Sequence, residues 1–333
     1  MGDKLRVAIV GTGNIGTDLL IKATRSAHLE CTLFAGRNLS SPGMQKALAL
    51  GVRISSDGIR AVEENQSACD LIFDCTSAVA HAEHAAILAR LGKVVVNLTP
   101  ARTGAMCVPA INLGDCIAER EINMITCGGQ VAVPLAHVIG AVHPGAVEYI
   151  EVVSSIASRS AGPATRLSID EYIDATQRGV ARFSGVEKTK SVLILNPAIP
   201  SIDMQTTVFA RVAAPRLDAL APAIDEMVGR LKAYVPGYEL MVPPLCENGR
   251  IVVSARVTGL GDYLPPYAGN LDIINCAALA AAEGYALART APIRAPNKMS
   301  VRRPDAGEHE GRAERGAIPS FRRDSTGGKT CVE

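Results

Sequence analysis

Along residues 1–127, short apolar runs alternate with stretches whose apolar residues recur at helical spacing. Runs at Leu5–Val10, 31–35, 71–75, 93–98 and 123–126 have the length of strands. The segments between them, at 18–25, 42–50, 81–91 and 112–119, read as helices. Strands separated by helices pair in parallel, because the chain must cross the sheet before starting the next strand. This half therefore predicts an α/β fold, a Rossmann-type doubly wound parallel sheet.

The pattern changes after Gly128. Residues 131–142 read as an Ala/Val-rich helix with Pro134 in its first turn, where the missing amide costs nothing. Longer β-rich runs follow at Val147–Ala157, 191–195, 206–212 and Arg250–Val257, with helices at 168–178 and 216–234 among them. The first of these helices opens Ser168-Ile169-Asp170-Glu171, a capping box with Ser168 as N-cap. An Ala/Leu helix at 271–289 is expected to pack back on the first half. The predicted organisation is a dinucleotide-binding domain at 1–127, a second α+β catalytic and dimerisation domain at 128–269, a returning helix at 270–290 and a tail at 291–333. The tail is rich in Arg, Pro, Gly, Glu and Ser and cannot repay the entropy of ordering, so disorder is expected there.

Charge adds little. Lys plus Arg number 34 against 33 acids, which points away from nucleic acid. No uninterrupted apolar stretch reaches the ~18 residues of a membrane span. The chain runs straight into a strand rather than a signal-peptide core, so a cytoplasmic location is expected. Nine cysteines, an odd count without C-x2-C spacing, indicate neither a disulfide framework nor a zinc ribbon. Cys31, Cys69, Cys75, Cys107, Cys116 and Cys276 read as small buried apolar residues. His81 and His84 stand three apart with no third ligand, so no metal site is expected.

The chemistry sits at two turns. Gly11-Thr12-Gly13-Asn14-Ile15-Gly16 follows a strand and opens a helix, the context that makes G-x-G-x-x-G a dinucleotide fingerprint. Its glycines allow the tight turn, the approach of the pyrophosphate and close helix–strand packing, while the helix N-terminus holds the phosphates. The acid expected after the second strand is absent. Arg37 stands there, suited to a 2′-phosphate, so both NAD and NADP remain open. Thr76 and Ser77 end another strand, from which either could reach the cofactor edge or simply satisfy local backbone. In Asn123-Met124-Ile125-Thr126-Cys127-Gly128-Gly129-Gln130, Cys127 lies before a helix, whose free amides and dipole lower a thiol pKa. Gly128 and Gly129 leave room for substrate, and their amides are candidates for an oxyanion hole. A thiolate here attacks an aldehyde to give a thiohemiacetal, hydride loss yields a thioester, and a second nucleophile resolves it.

With these motifs the sequence resembles the acylating acetaldehyde dehydrogenases of bacterial aromatic-degradation pathways. The resemblance rests on GTGNIGTDLLIK at 11–22, DCTSAVAH at 74–81, NLTPA at 97–101, NMITCGGQ at 123–130, SAGPATR at 160–166, ILNPA at 194–198, YVPGY at 234–238 and DYLPPYAGNLDI at 262–273. It implies oxidation of acetaldehyde or propanal with NAD, coenzyme A taking the acyl group, and Cys127 as nucleophile. It assigns nucleotide binding to Thr12–Ile15, to Ser160, Ala161, Gly162, Pro163, Ala164, Thr165, Arg166, Leu167 and Ser168, and to Asn270. It also implies a homodimer joined to 4-hydroxy-2-oxovalerate aldolase as a heterotetramer. Three departures stand out. Gly36-Arg37-Asn38-Leu39 replaces the family's G-I-D-P, Ala164 replaces a glycine, and Thr206 stands where the family has the aspartate of M-R-D-T. Two competing readings are a phosphorylating semialdehyde dehydrogenase on the same scaffold and a diverged nucleotide-binding subunit without activity.

Overall fold

The computed structural model describes residues 4–290; the tail predicted at 291–333 lies outside them. The first half forms β1 (Leu5–Val10), α1 (Asn14–Thr24), β2 (Leu29–Ala35), α2 (Pro42–Ala49), β3 (Ile54–Ser55), α3 (Arg60–Glu64), β4 (Leu71–Asp74), α4 (Ala78–Arg90), β5 (Val94–Asn97), β6 (Ala105–Met106), α5 (Pro109–Cys116) and β7 (Glu121–Asn123). The strands pair in parallel in the order β3-β2-β1-β4-β5-β7-β6. Strand alternation explains the two buried faces. Val7, Ile9, Leu71, Phe73, Val94 and Val96 point into one apolar cluster, and Ala8, Val10, Ile72 and Val95 into the other. Chain order reverses between β1 and β4, and such a switch point opens a crevice at the carboxyl ends of the strands.

The second half begins with α6 (Cys127–Val142) and continues through β8 (Val147–Ala157), α7 (Pro163–Leu167), α8 (Ile169–Ser184), β9 (Thr189–Asn196), β10 (Met204–Val212), α9 (Leu217–Lys232), β11 (Tyr238–Glu247) and β12 (Arg250–Val257). Its sheet runs β11-β12-β10-β8-β9, antiparallel except for the parallel β8–β9 pair. Helices α6, α8 and α9 bury one face against Ile150, Val152, Ile156, Met204 and Val208. On the opposite face Tyr149, Val153 and Phe209 are only half-buried.

Several expectations shift. Helix α6 starts four residues earlier than read, so Pro134 lies inside it. Asn112 kinks α5, which begins at Pro109. Ser168 precedes α8 without a side-chain cap bond, so no capping box forms. Strand β11 is absent from the sequence reading because Pro243 and Pro244 break its pattern; they fall where its register with β12 shifts, on an edge strand that pairs with β12 alone.

Helix α10 (Gly269–Thr290) is long and apolar enough to cross a bilayer, yet most of that stretch is buried. Ile274, Ala277, Ala278, Ala281 and Ala282 pack into the core of the first sheet. Its attachment is also ionic. The buried Lys22 Nζ of α1 meets Asp18 at 2.9 Å, Asp262 at 2.7 Å and Asp272 at 2.8 Å. Asn275 Nδ2 donates to Asp18 at 2.7 Å and to the Ile15 carbonyl at 3.1 Å. Burial alone would lower the Lys22 pKa, but Asp18 and Asp272 outweigh it and hold the ammonium firmly charged. One lysine thus joins α1, the loop before α10 and α10 itself. Lys22→Met leaves three carboxylates facing one another, and removing one member of a buried ion cluster costs about 3–5 kcal/mol. Urea unfolding should show a loss of that order; a loss below about 1 kcal/mol would mean that the cluster does not secure α10.

Candidate active site

The glycine-rich turn divides its work between its glycines. Gly11 has φ +105°, and a Cβ there would lie 2.6 Å from the Cys75 carbonyl oxygen. A Cβ on Gly16 would collide with the Gly11 carbonyl. A Cβ on Gly13 would meet nothing within 4 Å. Gly11 and Gly16 therefore serve the turn and the packing, and Gly13 leaves open space at the N-terminus of α1, where amides and dipole favour a phosphate. The segment from Ser160 to Ser168 comes up beside this turn: a Cβ on Gly162 would stand 3.7 Å from Asn14 Nδ2.

The other predicted cofactor residues occupy varied settings. Arg37 is exposed just beyond β2. Ser77 caps α4, accepting from the Ala80 amide at 3.2 Å. Ser160 is buried and donates to the Ala157 carbonyl. Arg166 closes its own loop through Ala161 O at 3.1 Å, Ser158 O at 2.7 Å and Ser158 Oγ at 2.9 Å. Leu167 is exposed, whereas Ala161 is buried. Asn270 lies in the first turn of α10 rather than at its cap, and its buried Oδ1 lacks a hydrogen-bond partner.

A cleft opens where the sheet's carboxyl ends meet α7 and α8. It is lined by Thr76, Ser77, Thr99, Cys127, Ala164 and Thr165, with Tyr172 at its base. Cys127 reaches it through a strained turn. Ile125 has φ +63°, a conformation costly for a β-branched residue, and its amide is held by Asn123 Oδ1 at 2.7 Å. Thr126 then caps α6 with its hydroxyl on the Gly129 amide at 2.8 Å. Cys127 is the first residue of that helix and is half-buried.

Two expectations about this turn are corrected. The Gly128 amide donates to Tyr172 Oη at 2.9 Å and the Gly129 amide to Thr126, so neither proposed oxyanion donor is free. The glycines also make room for the protein itself: a Cβ on Gly128 would collide with the Tyr172 hydroxyl, and one on Gly129 with Ile125. Nor is the thiol pKa low. Burial pushes it up, and hydrogen bonds from the Tyr172 hydroxyl and the Gly128 amide recover only part of this. Tyr172, unread in the sequence, is the side-chain partner of Cys127 at 3.6 Å from Sγ. Its only signal there is an aromatic residue with a polar tip on the inner face of an amphipathic helix. Thr206 is buried and bonds Ser154 Oγ at 2.9 Å, while Asp203 accepts from Thr258. His137 and His143 bond the Phe183 and Ile139 carbonyls. Among the described residues no carboxylate or imidazole hydrogen-bonds to Cys127.

The charged groups lie below the cleft. Asp74, fully buried, takes His81 Nδ1 at 2.9 Å and His84 Nδ1 at 2.8 Å on one oxygen, and the amide and hydroxyl of Thr76 on the other. His81 Nε2 reaches Glu121 at 2.9 Å. Burial would raise Asp74, but the two histidines outweigh it and hold its carboxyl well below the usual range. Burial would lower His81, but Asp74 and Glu121 push it up to about 9. His81 and His84 thus anchor the loop that carries Thr76.

Comparison with known proteins follows the same lines. Residues 127–265 match the prokaryotic acetaldehyde dehydrogenase dimerisation family. The acetaldehyde dehydrogenase of Pectobacterium atrosepticum is 56% identical over 285 residues, spanning 85% of this chain and 96% of that protein. The Spirochaeta aurantia acetaldehyde dehydrogenase is 55% identical over 284 residues, spanning 85% and 95%. Among solved structures, aspartate semialdehyde dehydrogenase II of Vibrio cholerae superposes with a TM-score of 0.56 at 15% identity, over 86% of this chain and 99% of that one. The NADP-bound aspartate semialdehyde dehydrogenase of Candida albicans gives 0.59 at 11%, over 84% and 100%. These two share the fold.

His81 predicts a pH limit. Its folded pKa lies above the ordinary 6.5, so its contribution is complete below pH 6.5 and is lost as pH rises through about 9. Thermal unfolding should show Tm falling across that window, and His81→Gln should flatten the fall. An alkaline limb identical in both proteins would rule out His81 as its source.

Proposed function

The chain belongs to the prokaryotic acetaldehyde dehydrogenases, and on that premise we propose that it oxidises acetaldehyde or another short aldehyde with a nicotinamide cofactor and delivers the acyl group to coenzyme A. The observation that carries this is Cys127, the first residue of α6, opening into a cleft at the carboxyl ends of a parallel nucleotide-binding sheet. Functionally the chain divides into a cofactor domain at 1–127, a catalytic and dimerisation domain at 128–269 and the returning helix at 270–290.

The residues present suit NAD. Thr12, Gly13, Asn14 and Ile15 would hold its pyrophosphate, in the open space above Gly13. The segment from Ser160 to Ser168 would close over it, and the unpartnered Oδ1 of Asn270 is an acceptor awaiting a donor such as a carboxamide. When bound, the nicotinamide supplies the hydride acceptor. The Cys127 thiolate attacks the aldehyde carbon; the S–C bond forms as the carbonyl π pair moves to oxygen. Oxidation leaves an acyl thioester on Cys127. The coenzyme A thiolate then attacks that carbonyl, and Cys127 departs with the bonding pair, regenerating the thiolate.

Arg37, exposed beyond β2 where an acid would grip ribose, supports use of NADP as well as NAD. The half-buried residues Tyr149, Val153 and Phe209, on the uncovered sheet face within the segment matched to the dimerisation family, support a homodimer through that face. The aldolase partner rests on the resemblance of the sequence, and a cytoplasmic location on the strand that stands where a signal-peptide core would.

Three measurements test this reading. Cys127→Ala should abolish acyl-CoA formation and remove labelling of this site by iodoacetamide at low excess; undiminished turnover would overturn it. In the wild type, coenzyme A should support NAD(P)H formation far better than inorganic phosphate does, and a preference for phosphate would move the chain to the semialdehyde class. For Arg37→Ala, kcat/KM with NADP should fall several-fold more than with NAD; an equal effect would remove the role given to Arg37.

A further inference from the structure

Cys127 sits among hydroxyls rather than charges. Tyr172 Oη lies 3.6 Å from Sγ and accepts the Gly128 amide at 2.9 Å. An amide can only donate, so it occupies a lone pair of Oη and leaves the phenolic proton to be directed elsewhere. The neighbouring hydroxyls are committed. Thr176 Oγ1 donates to the Tyr172 carbonyl at 2.8 Å, which leaves Thr126 Oγ1 to donate to Thr176 at 2.7 Å. Thr126 also touches Oη, but a thiolate is a stronger acceptor than a neutral hydroxyl.

We propose, on the reading of Cys127 as nucleophile, that Tyr172 is a catalytic residue whose hydroxyl donates to the Cys127 sulfur whenever that sulfur carries charge. It does so twice in a turnover: before the thiolate attacks the aldehyde, and again when the thiolate leaves the thioester. No proton is transferred and no bond to Tyr172 is made or broken. Burial pushes the phenol far above its ordinary range, so it stays protonated and remains a donor across the working pH. The arrangement also accounts for Gly128, where a Cβ would occupy the place of the Tyr172 hydroxyl.

The test is the pH dependence of iodoacetamide alkylation at Cys127, read by mass spectrometry of the peptide that carries it. A hydrogen bond to a charged group is worth enough to move a titration midpoint by about one pH unit or more. Tyr172→Phe should shift the alkylation profile upward by that amount and slow alkylation at neutral pH roughly tenfold. Its kcat should fall while KM for the cofactor changes little. Gly128→Ala, which displaces the hydroxyl and retains the ring, should give the same upward shift and decides the matter if Tyr172→Phe fails to fold by circular dichroism. A profile unchanged in the folded variant overturns the proposal. Turnover retained in Cys127→Ala would instead overturn the underlying assignment of the nucleophile, so the two failures are distinguishable.

Discussion

Everything in the cleft depends on how the chain leaves β7. Between Asn123 and Cys127 it must turn from a parallel strand into a helix that belongs to the second half, and it does so with Ile125 at φ +63°. A β-branched residue holds that conformation only when its surroundings over-determine it. Here they do: Asn123 Oδ1 binds the Ile125 amide, Ile125 is buried, and Thr126 caps the helix that follows. The strain is placed two residues before Cys127. Because the turn is clamped from both sides, the backbone that carries Cys127 is held in place.

Around that thiol the protein separates charge from chemistry. Asp74, His81, His84 and Glu121 form a hydrogen-bonded cluster beneath the loops, and Lys22 with three aspartates forms an ionic one against α10. The immediate neighbours of Cys127 are neutral hydroxyls and amides. A neutral surround leaves the thiol pKa raised by burial, so thiolate formation leans on whatever oriented donors are available. These clusters hold the scaffold, while short-range dipoles face the Cys127 sulfur.

Much of this was legible in the sequence because it follows from period and spacing. The parallel sheet was readable from strands the length of Leu5–Val10 separated by helices, and Gly11, Gly13 and Gly16 from the steric demands of one turn. What escaped depends on distant residues meeting. Tyr172 lies 45 positions from Cys127, and no local pattern joins them. Gly128 and Gly129 were seen as glycines, but what their missing side chains accommodate is set by Tyr172 and Ile125. His81 and His84 show helical spacing in sequence, yet their meaning comes from Asp74 at the end of another element. Strand β11 was hidden for the opposite reason: a local signal, two prolines, was overridden by its place at the edge of the sheet.

That edge has a consequence for the protein in bulk. A sheet grows by offering unpaired amides to a newcomer; successive amides of a strand point to opposite sides, so of the adjacent prolines at 243 and 244 one withholds an amide from the outer edge. Copies crowded together at high concentration find an interrupted ladder along this edge. The residues that disguised β11 thus act as a brake on fibre formation, a colloidal safeguard written into the same positions that blur the strand's pattern.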